Sequence, residues 1–388
     1  MSTPARKKVL LMGKSGQSDL VSGLLGIQLT AIFLAGSGKT SMRSVIFSNY
    51  TARDTRRLGA TIDVEQSAVR FLGGLVLNLW DCGGQNAFVD NYLSSQKDTI
   101  FSNVAVLIYV FDITSNEWDG DLRYFEDILF ALRENSPEAG VWVLINKMDL
   151  IDKEDPQRKK FKERKADLMR VDHSVREELK DETIKEVLRC FPTSIWDESL
   201  YKAWSSIIHT LIPNISLITS HLTYLRDLCL GVEAVLFEAD TFLVIAKSGS
   251  PLDCDPSDLD AVEIDNGARE LDQQRFEKIS EIVKGFKKTC SRNHEQYHGF
   301  EAKFNDCTII LEPLTKNTYI MIVSVDPRVE TGALLYNVHQ SSAHMVEFAT
   351  KHTLEVQKCG ICRNNKELKY DVQGDEDDSI PAWDDPLP

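Results

Sequence analysis

Short apolar runs alternate with longer stretches of helix length over the first half of the chain. The runs cover residues 9–12, 75–80, 104–111 and 141–145, and the third of them contains no charged side chain. Continuous apolar runs of this length are typical of parallel strands that are covered on both faces. The alternation therefore predicts an α/β domain with a mostly parallel sheet and helices on both faces. The highly charged stretch 153–189 is predicted to be an exposed helical excursion from this domain.

A second pattern begins near residue 214 and predicts a separate α+β domain in the order α-β-β-α-β-β-α. The predicted segments are 215–230, 232–237, 242–246, 276–290, 304–311, 319–325 and 334–348. An acidic loop at 248–272 interrupts this domain, and both this loop and an acidic tail are expected to be disordered because they offer little apolar surface. The predicted organisation is therefore a first domain at 1–213, a second at 214–350 and a tail at 351–388.

The segment between residues 13 and 41 contains a phosphate-binding loop that is divided in two. Residues 13–16 read G-K-S-G, residues 37–41 read S-G-K-T-S, and joining them gives the pattern G-x-x-x-x-G-K-[ST]. In such a loop, backbone amides at the start of a helix surround the phosphates, a lysine neutralises them, and the next hydroxyl binds Mg²⁺. The residues assigned to the phosphates are Gly13, Ser15, Gly16, Ser37, Gly38, Lys39, Thr40 and Ser41, and Thr40 is also assigned to the metal.

The twenty interrupting residues, 17–36, allow three interpretations. A transmembrane helix is disfavoured because the uncharged part is shorter than the ~20 residues that a bilayer core requires. A signal peptide is disfavoured because the nucleotide-binding motifs further along the chain, described below, are typical of cytosolic proteins. The favoured interpretation is translated intron sequence, since removing a multiple of three nucleotides restores a complete loop. Because the phosphate cradle depends on consecutive amides, we expect the interrupted chain to bind nucleotide poorly.

Downstream motifs follow in the order that a guanine-nucleotide switch requires. Asp81 ends a strand-like run and can hold Mg²⁺ through water, while the Gly84 amide can reach a γ-phosphate and Gln85 can orient the attacking water. Thr61 lies just before another strand-like run and is assigned to both the metal and the γ-phosphate, and Thr55 is assigned to the phosphates.

The sequence N-K-x-D at residues 146–149 predicts recognition of the guanine base. The Asp149 carboxylate can accept hydrogen bonds from guanine N1–H and from the exocyclic amine, a donor pair that adenine does not offer. Asn146 and Lys147 belong to the same motif, and Ser194 and Ile195 are assigned to a further base-contacting loop.

These motifs resemble the Rag GTPases, specifically the A/B-type subunits. The resemblance is carried by the divided loop, by RRLGATID at 56–63, by DCGGQ at 81–85 and by RFEKISEIVKGFKKTC at 275–290. Asn146 is a departure, because A/B-type members commonly have His there, although Asn suits guanine binding at least as well. The resemblance implies a Mg²⁺-dependent GTP/GDP switch whose second domain is of the roadblock type.

The resemblance also implies partners and a location. The expected partners are a C/D-type Rag subunit in a heterodimer, the TOR kinase complex, a membrane scaffold complex and a GTPase-activating complex. The pair is expected to signal amino-acid sufficiency from the vacuolar or lysosomal membrane. The chain has no C-terminal lipidation cysteine and does not begin Met-Gly, so a cytoplasmic protein attached to that membrane through its partners is expected, without direct insertion.

Composition narrows these expectations. The net charge of −15 argues against nucleic acid as a partner, since phosphate backbones attract basic surfaces. A single CxxC at 359–362 does not supply the second pair that a zinc site requires, so free thiols are expected. No arginine is clearly placed to act on the γ-phosphate, which predicts slow hydrolysis unless a partner supplies the charge. The competing hypothesis is a nucleotide-dead scaffold that acts only through dimerisation, because its loop is interrupted.

Overall fold

The structure is a computed structural model, and it describes most of the chain between residues 6 and 350. The described ranges are 6–13, 36–48, 50–59, 64–70, 76–82, 97–151, 155, 158–179, 188–212, 215–248, 275–305, 307–326 and 328–350. The described residues up to Ala349 belong to one compact unit. The predicted acidic loop 248–272, apart from its first residue, and the predicted tail 351–388 lie outside the described residues.

The order of elements shows two successive groups of strands and helices. The strands are β1 (Arg6–Met12), β2 (Val64–Arg70), β3 (Val76–Cys82), β4 (Val104–Asp112), β5 (Gly140–Asn146), β6 (Arg189–Pro192), β7 (Gly231–Glu238), β8 (Val244–Lys247), β9 (Phe300–Lys303), β10 (Thr308–Thr315) and β11 (Thr318–Ser324). The helices are α1 (Lys39–Phe47), α2 (Lys97–Phe101), α3 (Trp118–Asn135), α4 (Lys159–Leu179), α5 (Ser199–Leu211), α6 (Ile215–Leu228), α7 (Arg275–Arg292) and α8 (Thr331–Thr350).

The first sheet has the strand order β2-β3-β1-β4-β5-β6 and is parallel except for β2. This confirms the predicted mixed α/β fold with a parallel sheet. In register, Leu11 of β1 lies beside Asp81 of β3 and Ile108 of β4. The carboxyl ends of the parallel strands therefore meet at one edge of the sheet, where ligands bind in open α/β folds.

The central strand β1 shows why the apolar runs are continuous. Val9 and Leu11 belong to the hydrophobic cluster on one face of the sheet, and Leu10 and Met12 belong to the cluster on the other. All four side chains are buried. Both faces are covered, so the strand has no solvent-facing positions that would require polar residues.

Helix α4 corrects the prediction of a purely exposed charged excursion. Phe161, Leu168 and Val175 are buried and belong to the cluster that covers one face of the first sheet. They are spaced seven residues apart, which is two helical turns, so they form a narrow apolar stripe on one side of a charged helix. The high density of charge on the other positions hides this stripe in the sequence.

The second sheet is antiparallel, with the strand order β8-β7-β11-β10-β9. The strand predicted at 304–311 corresponds to β10, which begins four residues later at Thr308, and the preceding strand β9 was not predicted. The Phe304 amide donates to the Cys307 carbonyl at 2.8 Å, and the Phe304 side chain is exposed. Strands β9 and β10 pair with each other, so the described part of this group contains one strand more than predicted. Among the described residues, no helix has the length and apolar character needed to cross a membrane.

Candidate functional site

Gly13, the described residue of the first half of the divided loop, lies beside Ser37 and Lys39 of the second half. Strand β1 is followed by Gly13, and the Lys39 side chain at the start of α1 donates from Nζ to the Gly13 carbonyl at 2.6 Å. A Cβ at Gly13 would lie 2.3 Å from the Val110 carbonyl oxygen, and its φ is +148°, so this position requires glycine. Residues 14–35 lie outside the described residues, but the positions on either side of them form one cluster.

Gly38 connects this cluster to the end of β5. It is the N-cap of α1 with φ +94°, and a Cβ there would lie 2.6 Å from Asn146 Nδ2. The Asn146 amide donates from Nδ2 to the Ser37 carbonyl at 2.8 Å. A glycine-rich turn therefore precedes a helix N-terminus, which is the arrangement of a backbone anion site.

Asp81 and Thr40 form an oxygen-rich corner beside Lys39. Asp81 is fully buried on β3, and its Oδ2 accepts from Thr40 Oγ1 at 3.0 Å and lies 3.2 Å from Arg43 Nε. Among the described residues, Asp81 Oδ1 has no hydrogen-bond partner. A buried carboxylate oxygen without a partner, next to a hydroxyl, fits the hard oxygen ligands that Mg²⁺ prefers.

Burial shifts the pKa of both charged groups in this corner. It raises the pKa of Asp81, and the charges of Arg43 and Lys39 together with the Thr40 hydrogen bond oppose the shift. Burial lowers the pKa of Lys39 to about 8, and the Asp81 charge opposes that shift. A phosphate beside Lys39 would favour its charged form, because an opposite charge within a few ångströms stabilises an ammonium group.

The guanine motif forms a second cluster at the same edge of the sheet. Lys147 has φ +65°, and its Nζ lies 2.6 Å from Asp112 Oδ2 at the end of β4. Asp149 Oδ1 accepts from Ser194 Oγ at 2.6 Å, and the Met148 amide donates to the Thr193 carbonyl at 3.2 Å. The N-K-x-D segment is thus hydrogen-bonded to the loop after β6, and the Ser194 hydroxyl fixes the orientation of the Asp149 carboxylate.

Two residues of the site were missed in the sequence. Asp112 pairs with Lys147, and Arg43 pairs with Asp81. Asp112 is the last residue of the parallel strand β4, and this position was the signal in the sequence that could have identified it. Arg43 follows Thr40 by one helical turn, so it lies on the same side of α1 as Thr40.

Other predicted residues are placed elsewhere or lie outside the described residues. Thr55 is buried in a 3₁₀ turn, where its hydroxyl donates to the Ala52 carbonyl at 2.7 Å, and no described hydrogen bond joins it to Lys39. Ser41 lies in the first turn of α1, and Ile195 is partly buried against the core. The predicted residues outside the described ranges are Ser15, Gly16, Thr61, Gly84 and Gln85.

The arrangement combines three chemical functions at one edge of the sheet. Gly38 and Lys39 offer an anion site, Thr40 and Asp81 offer oxygen ligands for a cation, and Asp149 offers a fixed acceptor. These are the parts needed to hold a nucleotide by its phosphates, its metal and its base.

Comparison with known proteins identifies the family. The model of the "Gtr1/RagA G protein conserved region" matches residues 32–283. The GTP-binding protein gtr1 of Schizosaccharomyces pombe is 47% identical over 343 residues, which cover 88% of this chain and 96% of that protein. The Ras-related GTP-binding protein B of Rattus norvegicus is 42% identical over 367 residues, covering 87% of this chain and 85% of that protein. The Ras-related GTP-binding protein C of Homo sapiens is 26% identical over 223 residues, covering 57% of this chain and 53% of that protein. The chain belongs to the Gtr1/RagA family of G proteins.

Proposed function

We propose that the chain is a guanine-nucleotide switch that binds GTP and GDP with Mg²⁺ and hydrolyses GTP slowly. The observation that carries this proposal is the contact of Lys39 Nζ with the Gly13 carbonyl, which joins residues 26 positions apart into one phosphate site. The family supports it, since relatives that are 42–47% identical are named GTP-binding proteins.

The proposed roles follow from the chemistry of each group. Lys39 and the amides at the start of α1 bind the phosphates, and Asp149 with Asn146 and Lys147 binds the base. Thr40 and Asp81 would hold Mg²⁺, which neutralises charge on the phosphates when it is bound.

The remaining roles fall on residues outside the described ranges. Thr61 is proposed to sense the metal and the γ-phosphate, and Gln85 is proposed to orient the attacking water. The products are then GDP and inorganic phosphate. Hydrolysis by a Gln85→Leu variant tests the last assignment. Unchanged turnover, with and without an activating partner, would exclude a catalytic role for Gln85.

The second sheet is proposed to be a roadblock-type dimerisation domain that pairs with a C/D-type Rag subunit. Relatives named Ras-related GTP-binding protein C and gtr2 match this chain at 26–28% identity, so both subunit types belong to one wider family. Ile282 and Phe286 lie one turn apart on α7 and are 70% and 56% exposed, which leaves apolar surface for a partner. Co-purification of the chain with such a subunit tests the pairing.

The proposed signalling role is to report amino-acid sufficiency to the TOR kinase complex from the vacuolar or lysosomal membrane. In this proposal a membrane scaffold complex supplies the attachment, and a GTPase-activating complex supplies the charge that speeds hydrolysis. Loss of TOR activation in cells that lack the chain, restored by its reintroduction, would support the role. Normal activation without the chain would exclude it.

A nucleotide-dead scaffold is the second candidate, and the interrupted loop favours it. We further propose that residues 17–36 are translated intron sequence, because their removal restores G-x-x-x-x-G-K-[ST]. Sequencing the transcript across codons 16–37 decides this point. Absence of the segment from mature message supports the switch, whereas its presence in most message makes the scaffold the stronger candidate.

A further inference from the structure

Helix α7 lies in the second group of strands and helices. Its Lys284 side chain contacts the carboxyl end of α1, the helix that follows the phosphate-binding loop. Lys284 Nζ lies 3.2 Å from the Ile46 carbonyl and 3.4 Å from the Val45 carbonyl, both in the last turn of α1. It also lies 3.4 Å from the Tyr201 hydroxyl on α5. An ammonium group has three N–H donors, and these three acceptors can use all of them.

Both carbonyls lie in the last turn of α1, where the Lys284 side chain can act as an external donor. The last four carbonyls of an α-helix have no partner within the helix. The Ser44 carbonyl is satisfied locally, since it accepts from the amides of Ser48 and Tyr50. Lys284 donates to the next two carbonyls, those of Val45 and Ile46. The helix dipole also favours a positive charge at this end of α1. The residue that caps α1 therefore comes from an element 238 positions further along the chain.

Burial makes the charged form of Lys284 less favourable, and its contacts compensate for this. Burial lowers its pKa to about 7, with Glu238 on β7 opposing the shift and Lys287 on α7 adding to it. The ammonium also lies 4.8 Å from the centre of the Tyr201 ring, a favourable cation–π distance. A partly buried lysine is retained in a folded protein where specific partners compensate for lost hydration.

The helix α1 that Lys284 caps carries the phosphate-binding side chains at its other end. Lys39 and Thr40 lie in its first turn, and the helix is only nine residues long. Movement of its last turn would therefore move its first turn as well, because a short helix behaves as one rigid element. Lys288 of α7 also acts on the segment after α1. The Asp54 pKa is lowered first by hydrogen bonds from Thr51 and then, more weakly, by the charge of Lys288.

We propose that Lys284 is a positioning residue that docks α7 onto α1 and thereby slows the release of nucleotide. This inference rests on the proposed binding of GTP and GDP. Release of α7 from α1 loosens the phosphate site, and by linkage a bound nucleotide strengthens the docking of α7. Helix α7, which packs with the second sheet, then regulates nucleotide release through the Lys284 side chain.

The test uses three variants of the full chain. Lys284→Met removes the charge and the donors but keeps an unbranched side chain, whereas Lys284→Arg keeps charge and donors. Arg292→Met is the matched control, because it removes one charge from an exposed position of the same helix. The measurements are the release rate of fluorescent GDP and hydrogen exchange of the peptide that covers residues 39–48.

We expect Lys284→Met to release GDP about fivefold faster or more, within the range of allosteric couplings. Its α1 peptide should exchange faster, and Arg292→Met should match the wild type in both measurements. Lys284→Arg should restore most of the slow release. Wild-type release and wild-type exchange in Lys284→Met would overturn the inference, and so would equal acceleration by Arg292→Met.

Two further outcomes separate this inference from the proposed function. If neither the full chain nor the chain without residues 17–36 binds GDP, the proposed function fails, and unchanged exchange of the α1 peptide in Lys284→Met would overturn the docking role as well. If Lys284→Met does not fold, the wild-type pH profile decides. Lys284 loses its charge as the pH rises from 6 to 8, so GDP release should accelerate over that range and do so less in Lys284→Arg. The charged and titratable groups around it are Glu238, Lys287 and Tyr201. A pH profile shared by both chains would contradict the inference.

Discussion

The two sheets of the molecule differ in where their strands deliver polar side chains. In the parallel sheet, β1, β3, β4, β5 and β6 all end at one edge, and Lys39, Asp81, Asn146 and Ser194 are gathered there in buried positions. In the antiparallel sheet, neighbouring strands end at opposite edges. At one of its turns, the buried Glu238 carboxylate accepts from the amide and hydroxyl of Thr241, three residues further along the chain, both at 2.6 Å. Strand direction therefore decides which sheet can assemble a ligand site from distant residues.

The largest expected effect is the loss of Lys39. Lys39→Ala should weaken GDP binding about 10²- to 10³-fold, because it removes a buried charge from the phosphate site. A fluorescence titration with labelled GDP measures the change. Lys97→Ala is the control, since Lys97 forms a surface ion pair with Glu134 and such pairs contribute little. Equal affinities of Lys39→Ala and the wild type would show that the phosphates do not bind at this edge of the parallel sheet.

Asp149 should decide which base is bound. Asp149→Asn should weaken GDP binding about 10²-fold, because the amide cannot accept two hydrogen bonds as the carboxylate does. Xanthosine diphosphate should recover much of the lost affinity, since its C2 carbonyl can accept from the new amide. Asp119→Asn, at an exposed position of α3, is the control. Undiminished GDP binding by Asp149→Asn would contradict the assignment of the base site.

The same chemical change, made once beside the edge of the parallel sheet and once in the antiparallel sheet, sharpens the comparison. Thr40→Val should reduce the gain in GDP affinity on adding Mg²⁺ by about tenfold, because it removes a hydroxyl bonded to the Asp81 carboxylate. Thr318→Val removes a buried hydroxyl that lies 2.7 Å from Thr315 Oγ1. It should lower the free energy of unfolding by about 0.5–1.5 kcal/mol and leave GDP affinity unchanged. Reversed results, with Thr318→Val affecting Mg²⁺ and Thr40→Val only stability, would invalidate the contrast.

The smallest effect is expected at Arg56. Its guanidinium is exposed and lies 5.6 Å from the centre of the Trp196 ring. An exposed cation–π contact contributes about 0.5–1 kcal/mol, so Arg56→Ala should change GTP hydrolysis less than about threefold. A single-turnover assay measures this. A loss of tenfold or more would make Arg56 part of the hydrolytic site.

The sequence predicted the parallel sheet and the residues at its edge because both depend on local patterns. Apolar runs identified the strands, and short motifs identified Lys39, Asp81 and Asp149. The pairings of Asp112 with Lys147 and Arg43 with Asp81 were missed, since each joins elements that are distant in the chain. The stripe of Phe161, Leu168 and Val175 was obscured by surrounding charge, and β9 was missed because it is only four residues long. Lys284 could not be assigned from sequence, because its partners lie on α1 and α5.

The most direct test of the account compares GDP binding by four chains. These are the full chain, a chain without residues 17–36, and each of them with Lys39→Ala. Consecutive loop amides should bind phosphate best, so we expect saturable binding that is tighter in the shortened chain and is weakened about 10²- to 10³-fold by Lys39→Ala in both chains. Equal affinities of the full and shortened chains would contradict the effect of the interruption. Absence of binding in the shortened chain, or an affinity that Lys39→Ala leaves unchanged, would contradict the nucleotide site itself.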